Sequence, residues 1–222
     1  MAACHTRVAR NGRSEDLLDM RHIVSERFVE WTTGRTEVEA RIRVFEGIRD
    51  IPYAVIPELL DSETGPARML QLNQGSCQPK HFLLEEMYTR LGIRVLYARY
   101  PFRWDEIEVE YPPGLLALAR KMPLCHHLAC KAVIDDRLVL VDATVDPPLE
   151  RLGLRVNTGW DGVSSQTLPL RPDGEELYHP SEKGVITPPE LGDVELEFYS
   201  QMNRLLDGAR SGAHGSCGSA PV

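Results

Sequence analysis

The segment Ser76–Gly92, SCQPKHFLLEEMYTRLG, constrains the fold more than any other stretch of the chain. Phe82, Leu83, Leu84, Met87, Tyr88 and Leu91 recur at helical spacing and form a broad apolar face. Pro79 falls in the first turn, where its missing N–H costs little, and Gly92 stands where a helix-ending glycine belongs. A helix with so wide an apolar face needs a surface to pack on. The sequence after it supplies one. Ile93–Arg99, IRVLYAR, reads as a strand. Lys131–Val141 contains two more, AVI and LVLV, on either side of a DDR hairpin turn.

Upstream the pattern is helical. Ser14 can cap a helix carrying Leu17, Leu18, Ile23, Val24, Phe28 and Val29. A second helix is expected over Glu37–Asp50, closed by Ile51-Pro52-Tyr53. A short one is expected over Ala67–Leu72. Residues 143–190, rich in proline and glycine, read as irregular structure with short strands, and Val194–Asp207 as a helix. The order predicts an α+β fold: N-terminal helices and a central helix bearing a first-turn cysteine, packed on an antiparallel β-sheet. The 222 residues suffice for a single domain over 14–207. Residues 1–13 are expected to be a flexible tail, and the small polar residues of 208–222 a disordered one.

A net charge of -8 argues against a nucleic-acid partner, because phosphate binding needs a basic surface. The N-terminus lacks the apolar core of a signal peptide, and nothing approaches the roughly 20 apolar residues of a membrane span. The expectation is a cytoplasmic protein with no membrane partner. Cys4, Cys77, Cys125, Cys130 and Cys217 are then free thiols, and the question is which of them is reactive.

Cys77 is the outstanding candidate. The N–H groups and dipole of a helix start favour a thiolate and can also hold an oxyanion. Gly75 would let a substrate approach the backbone. His126 and His127 open one strand of the hairpin, and Asp142 ends the other, so a histidine and Asp142 become neighbours when the strands pair. Histidine can then take the thiol proton while Asp142 holds the imidazole. Each residue alone has an ordinary explanation: a core thiol, surface histidines, a turn-forming aspartate. Their joint order favours chemistry. A metal site built on Cys125, His126, His127 and Cys130 is disfavoured, because adjacent side chains on a strand point to opposite faces. No metal and no cofactor is expected.

Three segments, RIRVFEGIRDIPY (Arg41–Tyr53), GSCQPKHFLLEEMYTRLGIRVLYA (Gly75–Ala98) and HLACKAVIDDRLVLVDAT (His127–Thr144), resemble the transglutaminase-like superfamily of papain-type Cys-His-Asp enzymes. The resemblance implies Cys77 as nucleophile, His127 rather than His126 as base, and Asp142 as the orienting acid. It implies Gln71 or Gln74 as an oxyanion donor. The reaction it implies is acyl transfer on an amide through a thioester, by a peptidase, amidase or transamidase acting on a peptide, a protein or a small amide. Ala129 and Leu138 stand where the family often has aromatic residues, and no acidic cluster suggests calcium. Trp104, beginning the acidic run WDEIEVE, and Trp160, in NTGWDG, are the candidates for a substrate groove. Two other readings stand beside this one. The chain is a non-catalytic binding or scaffold protein on the same fold, or it is an acyltransferase like the arylamine N-acetyltransferases, whose Arg-Gly-Gly lead before the cysteine is absent here.

Overall fold

A computed structural model describes residues 5–182 and 191–212, with side chains from residue 18 onward. The fold is α+β. Helices α1 (His5–Thr32), α2 (Glu37–Arg49), α3 (Gly65–Leu72) and α4 (Cys77–Arg90) precede strand β1 (Val95–Phe102). Helix α5 (Pro113–Ala119) leads into β2 (Cys125–Ile134) and β3 (Arg137–Val141); β4 (Glu176–Tyr178) and α6 (Asp193–Arg210) follow. The strands form an antiparallel sheet in the order β3-β2-β1-β4.

The first helix starts at His5, nine residues before the expected Ser14 cap. Gly12 is the poorest helix former among residues 5–13, and one glycine costs about 1 kcal/mol without breaking a long helix. The expected tail over 1–13 is therefore helical from residue 5. At the other end α6 continues through Arg210, and residues 213–222 lie outside the described part. Among the described residues no helix is long and apolar enough to cross a membrane.

Local chemistry explains most boundaries. Thr36 and Glu39 form a reciprocal capping box that starts α2. Helix α4 ends in a Schellman motif: Gly92 adopts φ 77°, its N–H bonds to Thr89 O at 3.0 Å, and Ile93 N–H bonds to Tyr88 O at 2.9 Å. Asp135 and Asp136, both at positive φ, make the two-residue turn that joins β2 to β3.

One face of the sheet is covered by α4, whose Phe82, Leu83, Leu84 and Met87 are buried with Tyr97, Leu128 and Val141. Behind α4, α1 and α2 pack through Trp31. A Cβ at Gly47 would lie 2.6 Å from the ring of Trp31, which is buried. Gly47→Ala is expected to cost about 1–3 kcal/mol through overpacking. A lower urea midpoint would register this, and an unchanged midpoint would contradict the packing argument.

A second core gathers Phe102, Trp104, Leu149, Phe198, Met202 and Leu206 around α6. Two side chains tie α6 to distant backbone. Asn203 bonds both the N–H and the C=O of Val55, each at 2.9 Å. Arg210 bonds both oxygens of the buried Asp146, at 2.8 and 2.9 Å, and also Tyr53 O at 2.7 Å. Helix α6 thereby becomes one wall beside the N-terminus of α4.

Candidate active site

Cys77 is the first residue of α4 and is half-buried. His127 lies near the start of β2, and Asp142 directly follows β3; both are buried. The β2–β3 register pairs Cys130 with Val141, so the next pair would set Asp142 opposite Ala129. His127 is two residues from Ala129 and shares its face, which brings imidazole and carboxylate together diagonally. Their contact is short: Nε2 of His127 stands 2.6 Å from Oδ2 of Asp142. The Cys77 sulfur lies close enough to help the imidazole hold its proton. With Nε2 on Asp142, Nδ1 is the nitrogen left for sulfur.

Asp142 is held on every side. Its Oδ1 accepts Thr144 N–H at 2.9 Å, its N–H bonds Gln166 Oε1 at 2.7 Å, and its carbonyl accepts from Asn157 Nδ2 at 3.0 Å. Burial works against the charge on His127, but the Asp142 carboxylate, their hydrogen bond and the Cys77 thiol outweigh it and raise the imidazole to about 10. Burial likewise opposes the Asp142 carboxylate, and His127 with its hydrogen bond overrides it, lowering the acid to about 2. An imidazolium–carboxylate pair is thus the stable form across neutral pH.

Two further residues of α4 support this pair, and sequence reading passed over both. His81 lies one turn beyond Cys77. Its Nδ1–H donates to Cys77 O at 2.8 Å, and its Nε2 accepts Ala143 N–H at 3.1 Å, which fixes the tautomer. Burial holds it at about 4, so it stays neutral. The i, i+4 spacing from Cys77 was the available signal. Lys80 is fully buried, and its Nζ donates to Arg49 O at 3.0 Å and Thr144 O at 2.7 Å. Burial depresses it to about 7.

These shifts have opposite consequences for stability. Lys80 binds its proton more weakly in the folded state, so its effect makes stability rise with pH from about 7 to 10.5. His127 binds its proton more tightly when folded, so its contribution is lost between about 6.5 and 10. The two oppose each other over the same range. Lys80→Met is expected to lower stability by about 2 kcal/mol or more, since it leaves two buried carbonyls unpaired. It is also expected to make stability fall more steeply from pH 7 to 9 than in the wild type. Urea midpoints at both pH values test this, and parallel trends for the two proteins would contradict it.

The other expected site residues divide. Trp104 lines a cavity of about 350 Å³ that opens on Cys77 and His127. His126 is exposed and also borders it. Gln71 is exposed on α3 and Gln74 half-buried after it; neither borders the cavity, whereas Gln78, one residue past the thiol, does. The turn at Asn73, with φ 51°, breaks the approach to α4 and leaves those two amides off the cavity wall. Trp160 is a core residue rather than a groove residue. Its ring packs edge-on against Phe45 with centroids 5.3 Å apart, and its Nε1 donates to Ser164 O at 2.7 Å. Gly75 too answers to the core, since a Cβ there would sit 2.6 Å from Met69. Cys125 is half-buried in the cavity wall, and Cys130 is buried.

No family model matches this chain, and no curated protein matches it. Among solved structures, it is similar to a candidate cysteine protease from Cytophaga hutchinsonii. The two share 16% identity over 59% of this chain, with a TM-score of 0.39. The match spans 39% of that protein, well under half its length.

Proposed function

We propose that this protein is a thiol-dependent acyl-transfer enzyme of the transglutaminase-like kind, acting on amides with Cys77, His127 and Asp142. The observation that carries the reading is the 2.6 Å contact between His127 and Asp142, with the first-turn thiol of α4 in the same cavity wall as the imidazole. Cys77 sulfur attacks the amide carbonyl and forms the C–S bond. The oxyanion that develops lies at a helix start, whose N–H groups lack intrahelical partners. Collapse breaks the C–N bond, and His127 gives its proton to the leaving amine. Water or a second amine, deprotonated by His127, then resolves the thioester. Asp142 stays ionised throughout and holds the ring in place.

The test is a trapped intermediate. Incubation with an activated acyl thioester is expected to give a single acyl adduct on Cys77 by intact and peptide mass, labile to hydroxylamine and absent in His127→Ala. An adduct that forms as fast in His127→Ala, or that falls on Cys125, would overturn the reading in favour of a binding protein.

A further inference from the structure

The cavity beside Cys77 bears on what is acylated. Its walls are the apolar side chains of Phe102, Trp104, Val145, Leu170, Tyr199 and Met202. Three charged side chains also border it: His127, which is paired with Asp142, and Arg99 and Glu195. Arg99 pairs with Glu176, its Nε at 2.7 Å, and its guanidinium lies 5.1 Å from the Tyr178 ring centroid. The Glu195 carboxylate accepts Gly192 N–H at 2.8 Å at the start of α6. An anionic ligand group entering here would meet only cations already paired with carboxylates, and desolvating it would be costly.

Two hydroxyls in the lining have the opposite character. Ser76 Oγ and Thr144 Oγ1 are buried and make no hydrogen bond within the protein. Ser76 occupies the N-cap position of α4, where a serine ordinarily bonds the first turn, yet its side chain does not cap the helix. It adjoins the nucleophile in sequence, and Thr144 lies two residues past Asp142. Buried polar atoms of this kind are usually satisfied. Both oxygens lie behind the cavity surface, out of reach of a bound molecule.

Resting on the reading of Cys77 as the nucleophile, we infer that the cavity is the acyl-side subsite and that the substrate is an amide whose acyl group is apolar and carries no negative charge. At protein-like packing, 350 Å³ accommodates an aromatic or branched aliphatic group of up to about 15 heavy atoms. Acylation leaves the apolar group in the cavity and releases the amine outward, so the inference fixes the acyl half of the substrate and leaves the amine half free.

Three chloromethyl ketones test it, with methyl, 2-phenylethyl or 2-carboxyethyl as the second substituent on the carbonyl. The readout is the rate of Cys77 labelling, followed by peptide mass. The phenylethyl ketone is expected to react at least about 30-fold faster than the methyl ketone, from burial of its ring. The carboxyethyl ketone is expected to show no such gain. Leu170→Trp, which fills part of the cavity, is expected to bring the phenylethyl-to-methyl ratio close to one. Should the methyl ketone single out Cys77 while the phenylethyl compound gains nothing, or the carboxyethyl compound gains as much, the apolar subsite is wrong and the nucleophile stands. Should the methyl ketone label all thiols alike, the nucleophile reading fails and the subsite falls with it.

Discussion

Replacing Cys77 by alanine is expected to abolish acyl transfer, with a loss on the order of 10⁴-fold or more in kcat/KM. His127→Ala is expected to lose nearly as much, and the double variant no more than either single one. The non-additivity follows from the chemistry, because thiol and imidazole act on the same bond-making step, so that removing one leaves the other nothing to do. What persists in all three comes from the free N–H groups at the start of α4 and from cavity binding, neither of which the substitutions remove. Steady-state rates on one activated amide, measured for the wild type and the three variants, decide the matter. Losses that multiply in the double variant would mean that Cys77 and His127 act independently.

Asp142→Asn is expected to cost on the order of 10²- to 10⁴-fold in kcat. The shape of the side chain is kept, and Oδ1 can still accept Thr144 N–H. The group facing Nε2 of His127 changes from an acceptor to an amide donor. That reverses the tautomer: the proton moves to Nδ1, on the side of the thiol, where a base is needed. Loss of the carboxylate also removes what raises His127, so the imidazole falls from about 10 toward its ordinary range, and the alkaline limb of the activity profile moves to lower pH. Stability follows the same pair. The His127 contribution is complete below its ordinary 6.5 and lost as pH rises to about 10. The Asp142 contribution is complete above 3.8 and lost as pH falls through about 2. The gap between wild type and Asp142→Asn is therefore expected to be widest between about pH 4 and 6.5 and to narrow on both sides. Urea midpoints at pH 3, 5.5 and 9 read it, and a gap independent of pH would contradict the ion pair.

Much of this arrangement was legible in the sequence because it is built from local signals. Helix α4 announces itself by its apolar period and Gly92, and the hairpin by Asp135-Asp136 between two apolar runs. The strand pairing that joins His127 to Asp142 then follows from antiparallel geometry. What escaped the sequence reading depends on contacts between remote segments, which leave no period. Asn203 binds Val55 across 148 residues, and Lys80 reaches Thr144 across 64. Trp160 sits in a turn-rich stretch that suits a loop over the site, but it is the position of Phe45 on α2 that draws it into the core. Gln71 and Gln74 precede Cys77 closely enough to suggest oxyanion donors. The left-handed turn at Asn73, between them, is a tertiary choice that the spacing alone does not reveal. His81 and Lys80 read as polar positions on an amphipathic helix, yet both are buried because backbone groups from α2 and from the segment just after β3 come to meet them.

The most direct test of the central claim is the rate at which iodoacetamide modifies each cysteine in the folded wild-type protein near neutral pH, followed residue by residue. Cys77 is expected to react much faster than Cys4, Cys125, Cys130 and Cys217, and to lose that advantage in His127→Ala. Equal rates for all five thiols, or a fast Cys77 indifferent to His127, would contradict the account.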